Sequence, residues 1–333
     1  MDARGTEAEG IEARGSSQGH RDGTGAEPPT SPTFADALTL RIRALGHPLC
    51  VGLDPHLHLL PHLFRRGSME PGDPETAGAV GEFLTAILDR LEGRVAVIKP
   101  QIAFFEQLGW RGLEVLETLV ASARRRGLLV LMDAKRGDIG STAAAYADAF
   151  FGERAPLQVD ALTLNPYLGL DSLAPFLERA QDHRGGLFVL VKTSNAGAGD
   201  FQDLRVEGGD AVHLALADAL APLAASSRGP VTGWSAVGAV VGATWPAQAE
   251  AIRERLPHSL FLVPGYGAQG GAAKDAVRAF VDGPGGRREG GIVNSSRGIL
   301  FPEGSVTDDA GAWGRAIEAA LDRATSELGE ATS

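Results

Sequence analysis

The stretch "LLVLMDAKRGDIGST", residues 128–142, runs five apolar residues straight into Asp133, Lys135, Arg136 and Asp138. A short apolar, β-branched run bounded by polar residues reads as a buried strand, and here its end carries charges of both signs within six positions. The period of two along a strand puts Asp133 and Lys135 on one face. Arg136 falls on the other face, where it pairs within a helical layer. Asp138, just past the strand end, is placed to lie beside Lys135.

The same form recurs along the chain. Apolar runs at 49–54, 95–99, 128–135, 159–165, 187–192, 235–242, 260–265 and 291–296 are eight strand candidates. Between them lie segments of helical period, marked by Val80, Phe83, Leu84, Ile87, Leu88 and Leu91 in one and by Leu113, Leu116, Leu119 and Val120 in another. Near-continuous apolar strands alternating with amphipathic helices indicate a parallel sheet covered by helices. Eight such units predict an α/β fold closed as a (β/α)8 TIM barrel, with an open doubly wound sheet as the competing arrangement.

On a barrel the chemistry sits at the C-terminal strand ends. Those ends are polar throughout: Asp54, Lys99, Asp133 with Lys135, Asn165, Lys192 to Ser194, Gly265 to Gln269, and Asn294 to Arg297. Any one of them alone reads as a loop cap or a solvated charge, but together they point at one mouth. A lysine held between carboxylates stays cationic, which suits a proton donor and not a base. The glycines of "VPGYGAQGG" (263–271) let backbone N–H groups approach an anion, and Arg297 offers a bidentate contact. A plain turn before a helix is the competing reading of those glycines. The polar segment 195–209 reads equally as a lid or as a surface excursion.

Composition limits the partners. The 333 residues, 44% hydrophobic, supply a large core, and a formal net charge of −11 argues against nucleic acid or an anionic membrane as partner. No run of eighteen apolar residues and no apolar leader is present, and the one cysteine, Cys50, sits in a core-like stretch, so a reducing, cytoplasmic setting is expected. None of the eight histidines has zinc-site spacing; His56, His58 and His62 fall in the Pro-broken "PHLHLLPHL", and no metal is expected. Residues 1–32 carry almost no large apolar side chains and are expected to be a disordered tail. The folded domain then spans 33–327, opening on a helix capped by Thr33 with Asp36 and ended by Gly46, and 328–333 is expected to be a disordered C-terminal tail.

"DAKRGDIGST", with its Asp-x-Lys-x-x-Asp core, resembles the signature of the orotidine 5′-phosphate decarboxylase family. "VGLDP", "VIKPQIAFFEQLG", "LNPYLG", "VKTSNAGA", "VPGYGAQGG" and "VNSSRGILF" follow the longer bacterial branch in the same order, over residues 34–325. The resemblance implies a cofactor-independent decarboxylation of orotidine 5′-monophosphate to uridine 5′-monophosphate and CO2, the last step of de novo pyrimidine biosynthesis. It implies that Lys99, Asp133, Lys135 and Asp138 form the charged array, that Lys135 protonates the carbon losing CO2, and that Asp133 lies against the departing carboxylate. Asp54 and Lys99 would bond the ribose hydroxyls, Ser194 would meet the pyrimidine, and Gln269 and Arg297 would hold the phosphate. Asp138 and Thr142 would reach the neighbouring subunit's site, which implies a homodimer. Barrel relatives acting on sugar phosphates, such as 3-keto-gulonate 6-phosphate decarboxylase or hexulose phosphate synthase, share the short motif, and a non-catalytic phosphonucleotide-binding module is the third reading.

Overall fold

The computed structural model describes residues 31–267 and 271–333. Eight parallel strands close on themselves: β1 (Leu49–Leu53), β2 (Val97–Pro100), β3 (Leu129–Arg136), β4 (Ala161–Leu164), β5 (Gly186–Lys192), β6 (Ser235–Val241), β7 (Ser259–Val263) and β8 (Gly291–Ser295). Each pairs with its neighbour in sequence, and β1 with β8 through Leu49↔Val293 and Cys50↔Asn294 shuts the ring. The open-sheet alternative is thereby excluded.

The helical layer follows from the predicted periods. Helices α1 (Phe34–Leu45), α2 (Pro74–Leu91) and α3 (Gly109–Arg125) are succeeded by α4 (Gly140–Phe150), α5 (Ala174–Asp182), α6 (Val212–Ser226), α7 (Pro246–Arg255) and α8 (Ala310–Ala331). In α2 the residues at i, i+3 and i+4 spacing, from Val80 to Leu91, are all fully buried against the strands. The seventh unit departs from the repeat: among the described residues it holds only one helical turn, Ala273–Ala276, and a short antiparallel ribbon pairing Val281–Asp282 with Arg288–Glu289.

Helix α1 is not part of the outer ring. Thr33 and Asp36 form a reciprocal capping box, and Gly46 ends the helix at φ 79°. Its Phe34 and Leu38 join the barrel-interior cluster of Leu129, Leu131, Phe188 and Leu260, with the Phe34 and Phe188 rings edge to face at 6.2 Å. The fully buried Asp36 carboxylate also accepts from Thr232 N and Oγ1, each at 2.7 Å. Gly186 makes room for the plug, since a Cβ there would lie 2.4 Å from the Phe34 ring. The floor of the barrel is thus sealed, which leaves the opposite mouth for a ligand.

Two expectations about the ends meet the structure differently. Residues 1–30 lie outside the described residues. The C-terminal stretch 328–333 is not a free tail: α8 runs to Ala331, Leu328 is fully buried, and Thr332 O accepts from Arg288 N at 2.8 Å. Burying Leu328 outweighs the weak helix propensity of the Gly, Ser and Thr around it. Cys50 is buried with its thiol pushed up to about 12 by desolvation, which makes it an inert core residue. Among the described residues no helix is long and apolar enough to cross a membrane.

Candidate active site

The C-terminal mouth holds a cavity of about 460 Å3 lined by side chains from the ends of most strands. At its base Asp133 stands between two lysines. Lys99 Nζ donates to Asp133 Oδ2 at 2.9 Å and Lys135 Nζ to Asp133 Oδ1 at 2.5 Å. Lys99 and Asp133 are almost wholly buried, whereas the Lys135 side chain keeps 45% of its exposure and faces the open cavity.

Strand alternation alone does not bring these groups together. The β3–β4 register shifts between Met132 and Arg136, and Lys135 adopts φ 48°, a left-handed conformation rare for a side-chain-bearing residue. The kink is held by Thr163 of β4. Its fully buried hydroxyl accepts from Ala134 N at 3.0 Å and Lys135 N at 2.9 Å, and donates to Asp133 Oδ1 at 3.0 Å. One hydroxyl therefore sets both the turn of the backbone and the orientation of the carboxylate.

Charge holds Asp133 and Lys99 ionised. Burial by itself would raise the Asp133 carboxyl, but Lys99 and then Lys135 outweigh it and hold it well below the usual carboxylate range. Burial would likewise lower Lys99, yet Asp133 and then Asp54 prevail and raise its pKa. Asp54, at the end of β1, also lines the cavity, and its Oδ1 is buried with no hydrogen-bond partner among the described residues. A buried acceptor left in that state is open to a donor from outside the chain.

Arg297 opens a one-turn helix after β8 and stands exposed at the rim, and Ser194 lines the opposite side. His56 shares the rim, with its ring 4.7 Å from that of Phe104. Burial first, and the Arg297 charge second, lower the His56 imidazole, with Asp54 opposing them.

Most of the residues singled out in the sequence converge here: Asp54, Lys99, Asp133, Lys135, Ser194 and Arg297 all line one cavity. Two do not. Asp138 is half-buried, accepts from Ile139 N at 2.8 Å and does not meet Lys135, whose ion-pair partner among the described residues is Asp133. Thr142 is exposed on the first turn of α4. The expected phosphate residue Gln269 lies outside the described residues. Arg136 pairs with Glu106 at 2.5 Å and lies over the Tyr146 ring, outside the cavity as anticipated. Thr163 escaped sequence reasoning because a threonine in an apolar strand carries no distinguishing signal. In the sequence His56 reads only as a candidate metal ligand, and Asn294, which donates to Ser296 Oγ at 3.2 Å on the cavity wall, reads only as a polar strand end.

A fixed lysine–aspartate–lysine array at the C-terminal mouth of a closed parallel barrel defines a (β/α)8-barrel enzyme that meets an anionic ligand with charges already in place. The model of the orotidine 5′-phosphate decarboxylase / HUMPS family matches residues 47–307, and the chain belongs to that family. It is 46% identical to orotidine 5′-phosphate decarboxylase of Rhodopirellula baltica over 304 residues, covering 89% of this chain and 99% of that one. The Deinococcus radiodurans orotidine 5′-phosphate decarboxylase is 39% identical, with 90% and 99% covered. A Streptomyces avermitilis crystal structure described under the same enzyme name superposes with a TM-score of 0.73 at 38% identity, covering 94% of this chain and 98% of that one.

Proposed function

We propose that the chain decarboxylates orotidine 5′-monophosphate to uridine 5′-monophosphate and CO2, the last step of de novo pyrimidine biosynthesis. The observation that carries this reading is the Lys99–Asp133–Lys135 array, in which Lys135 stands half-exposed in the cavity while Lys99 and Asp133 line its base almost wholly buried. Loss of CO2 leaves an electron pair on the ring carbon. The Lys135 ammonium faces that developing charge, donates one proton to the carbon, and regains it from solvent after product leaves. Asp133 holds the Lys135 Nζ in place through their 2.5 Å contact and lies on the side of the departing carboxylate.

Binding is assigned around that centre. The orphaned Asp54 Oδ1, with Lys99, takes the ribose hydroxyls, Ser194 meets the pyrimidine, and Arg297 with Gln269 takes the phosphate. Interactions with the remote phosphate and ribose position the reacting carbon, which one cation could not do alone. A sugar-phosphate reaction that calls for a metal suits this mouth poorly, because the Lys99 ammonium occupies the end of β2 and repels a cation.

Asp138 and Thr142 are assigned to a partner's site in a homodimer. Their absence from their own chain's cavity supports this, as does the exposed apolar Ile139 beside Asp138, at 58% exposure. We place the catalytic unit from Thr33 through α8, and assign it to the cytoplasm, a setting in which a lone buried thiol persists.

The direct test is to incubate the purified protein with orotidine 5′-monophosphate and follow loss of its absorbance with and without EDTA. Equal turnover in both is expected. No turnover refutes the function, and turnover that EDTA abolishes refutes its independence of a metal.

A further inference from the structure

The cavity wall at Thr193 and Ser194 is held from behind by groups that the chemistry above does not use. Lys192 ends β5, and a strand of period two would turn it inward after Phe188 and Leu190. The β5–β6 register instead shifts between Leu190 and Lys192. The Lys192 side chain has no exposure and does not line the cavity; its Nζ meets Asp203 Oδ1 at 2.6 Å and lies 4.7 Å from the centre of the Trp245 ring. Asp203 stands also 3.3 Å from Nδ1 of the buried His213, in the first turn of α6, and that nitrogen is 2.7 Å from Gln202 O. The segment after β5 is thus fastened at both ends of a turn.

The fastening leads back to the site. Gln202 Oε1 accepts from Thr193 N at 2.9 Å, and its Nε2 donates to Thr193 Oγ1 at 2.8 Å. Trp245 Nε1 donates to Thr193 O at 2.9 Å, and Thr244 Oγ1 to Ser194 O at 3.3 Å. Gly242 permits this approach, since a Cβ there would come within 2.8 Å of the Ser194 Cα. A fully buried ammonium is costly without a partner, so Lys192 requires Asp203 above it, and Asp203 sets where Gln202 falls.

We propose that the Lys192–Asp203 pair is a positioning device that folds the 195–211 excursion down, so that Gln202 grips Thr193 and Ser194 is presented to the pyrimidine. The proposal rests on the assignment of Ser194 to the pyrimidine. Asp203 and Gln202 are positioning residues, because they act through the strand end and not on the ligand.

The test uses Asp203→Asn, Asp203→Glu, Gln202→Ala, Ser194→Ala and the double variant Ser194→Ala/Gln202→Ala in the full chain. Steady-state decarboxylation is measured together with inhibition by uridine 5′-monophosphate and by ribose 5-phosphate, which lacks the base. Misplacing a binding wall is expected to lower kcat/KM about tenfold or more in Asp203→Asn and Gln202→Ala, chiefly through KM. Inhibition by the nucleotide weakens in step, and inhibition by ribose 5-phosphate does not change. Asp203→Glu recovers most of the loss, and Ser194→Ala/Gln202→Ala loses no more than Ser194→Ala alone. Gln202→Ala leaves the buried ion pair intact, so it serves should Asp203→Asn fail to fold. Equal weakening of both inhibitors overturns the proposal, because it signals general damage to the mouth. Wild-type kinetics in Ser194→Ala overturns the reading of Ser194 and this proposal with it. An impaired Ser194→Ala beside an unimpaired Gln202→Ala overturns this proposal alone.

Discussion

Asp133→Asn and Lys135→Ala, taken as a pair, separate the array's contribution to stability from its contribution to catalysis. The Asp133 and Lys99 side chains are 10% and 5% exposed and 2.9 Å apart. Removing one partner of a buried pair strands the other charge, at a cost of about 3–5 kcal/mol. Asparagine keeps the volume and the acceptor facing Thr163, so no cavity adds to that figure. Lys135 is 45% exposed, and losing it costs only about 0–1 kcal/mol of folding stability. At roughly 2–4 °C per kcal/mol, Asp133→Asn is expected to melt on the order of 10 °C lower while Lys135→Ala stays within a few degrees of wild type. Catalysis reverses the ranking of the lysine. With its proton donor gone, Lys135→Ala should lose at least about 10⁴-fold in kcat, roughly 5.5 kcal/mol of barrier, while still binding nucleotide. Scanning calorimetry and a single absorbance assay on both variants suffice. An Asp133→Asn protein as stable as wild type would show that the carboxylate does not compensate Lys99, and retained turnover in Lys135→Ala would refute its role as donor.

Three further outcomes are expected. Mixed after unfolding and refolding together, inactive Lys135→Ala and Asp138→Ala chains should regain part of the activity through hybrid dimers that hold one intact site; no recovery would argue against a shared site. The pH dependence follows from the two shifts. The lowered Asp133 contributes stability above the ordinary carboxyl value that is lost as pH falls through its depressed folded value, and the raised Lys99 contributes below its ordinary value and loses it as pH rises through its raised one. In the wild type the pair should therefore contribute a constant stability between about pH 5 and pH 9 and lose it below about pH 4, and an Asp133 carboxyl that titrates inside that window, followed by NMR, would contradict the assignment. Leu328→Ala should cost roughly 2–5 kcal/mol in chemical denaturation, whereas a free tail would give no change.

The eight strands were legible because each is an apolar run closed by a polar end, and the α1 boundaries because Thr33, Asp36 and Gly46 act within a few residues of one another. Local rules reach that far. The bend at Lys135 was not legible, since the charges of "DAK" suggest an even strand and the register shift arises from Thr163 on the next strand. The last turn of α8 reads as fraying residues because nothing in "SELGEATS" announces that Leu328 finds a pocket. Asp203 looked like one acid among several polar residues of a loop, and only the burial of Lys192, a consequence of a second register shift, gives it a task. In each case the missing information was a contact made across strands, which no window along the chain contains.

The plug at the barrel floor bears on the order in which the molecule can assemble. Asp36 meets Thr232 across 196 residues of sequence, and β1 finds its second neighbour only when β8 exists. Contacts of such span close late, because chain entropy must be surrendered before they form. Lys99, Asp133, Lys135 and Thr163, by contrast, come from three consecutive strands. A nascent chain that has just completed β5 carries the whole lysine–aspartate–lysine cluster, yet it has neither the floor nor the closed wall that keeps water from it. The catalytic charges are therefore synthesised early and become useful last, and a chain stalled between those points presents an unsealed sheet edge and the uncovered apolar face of α1 to whatever is nearby.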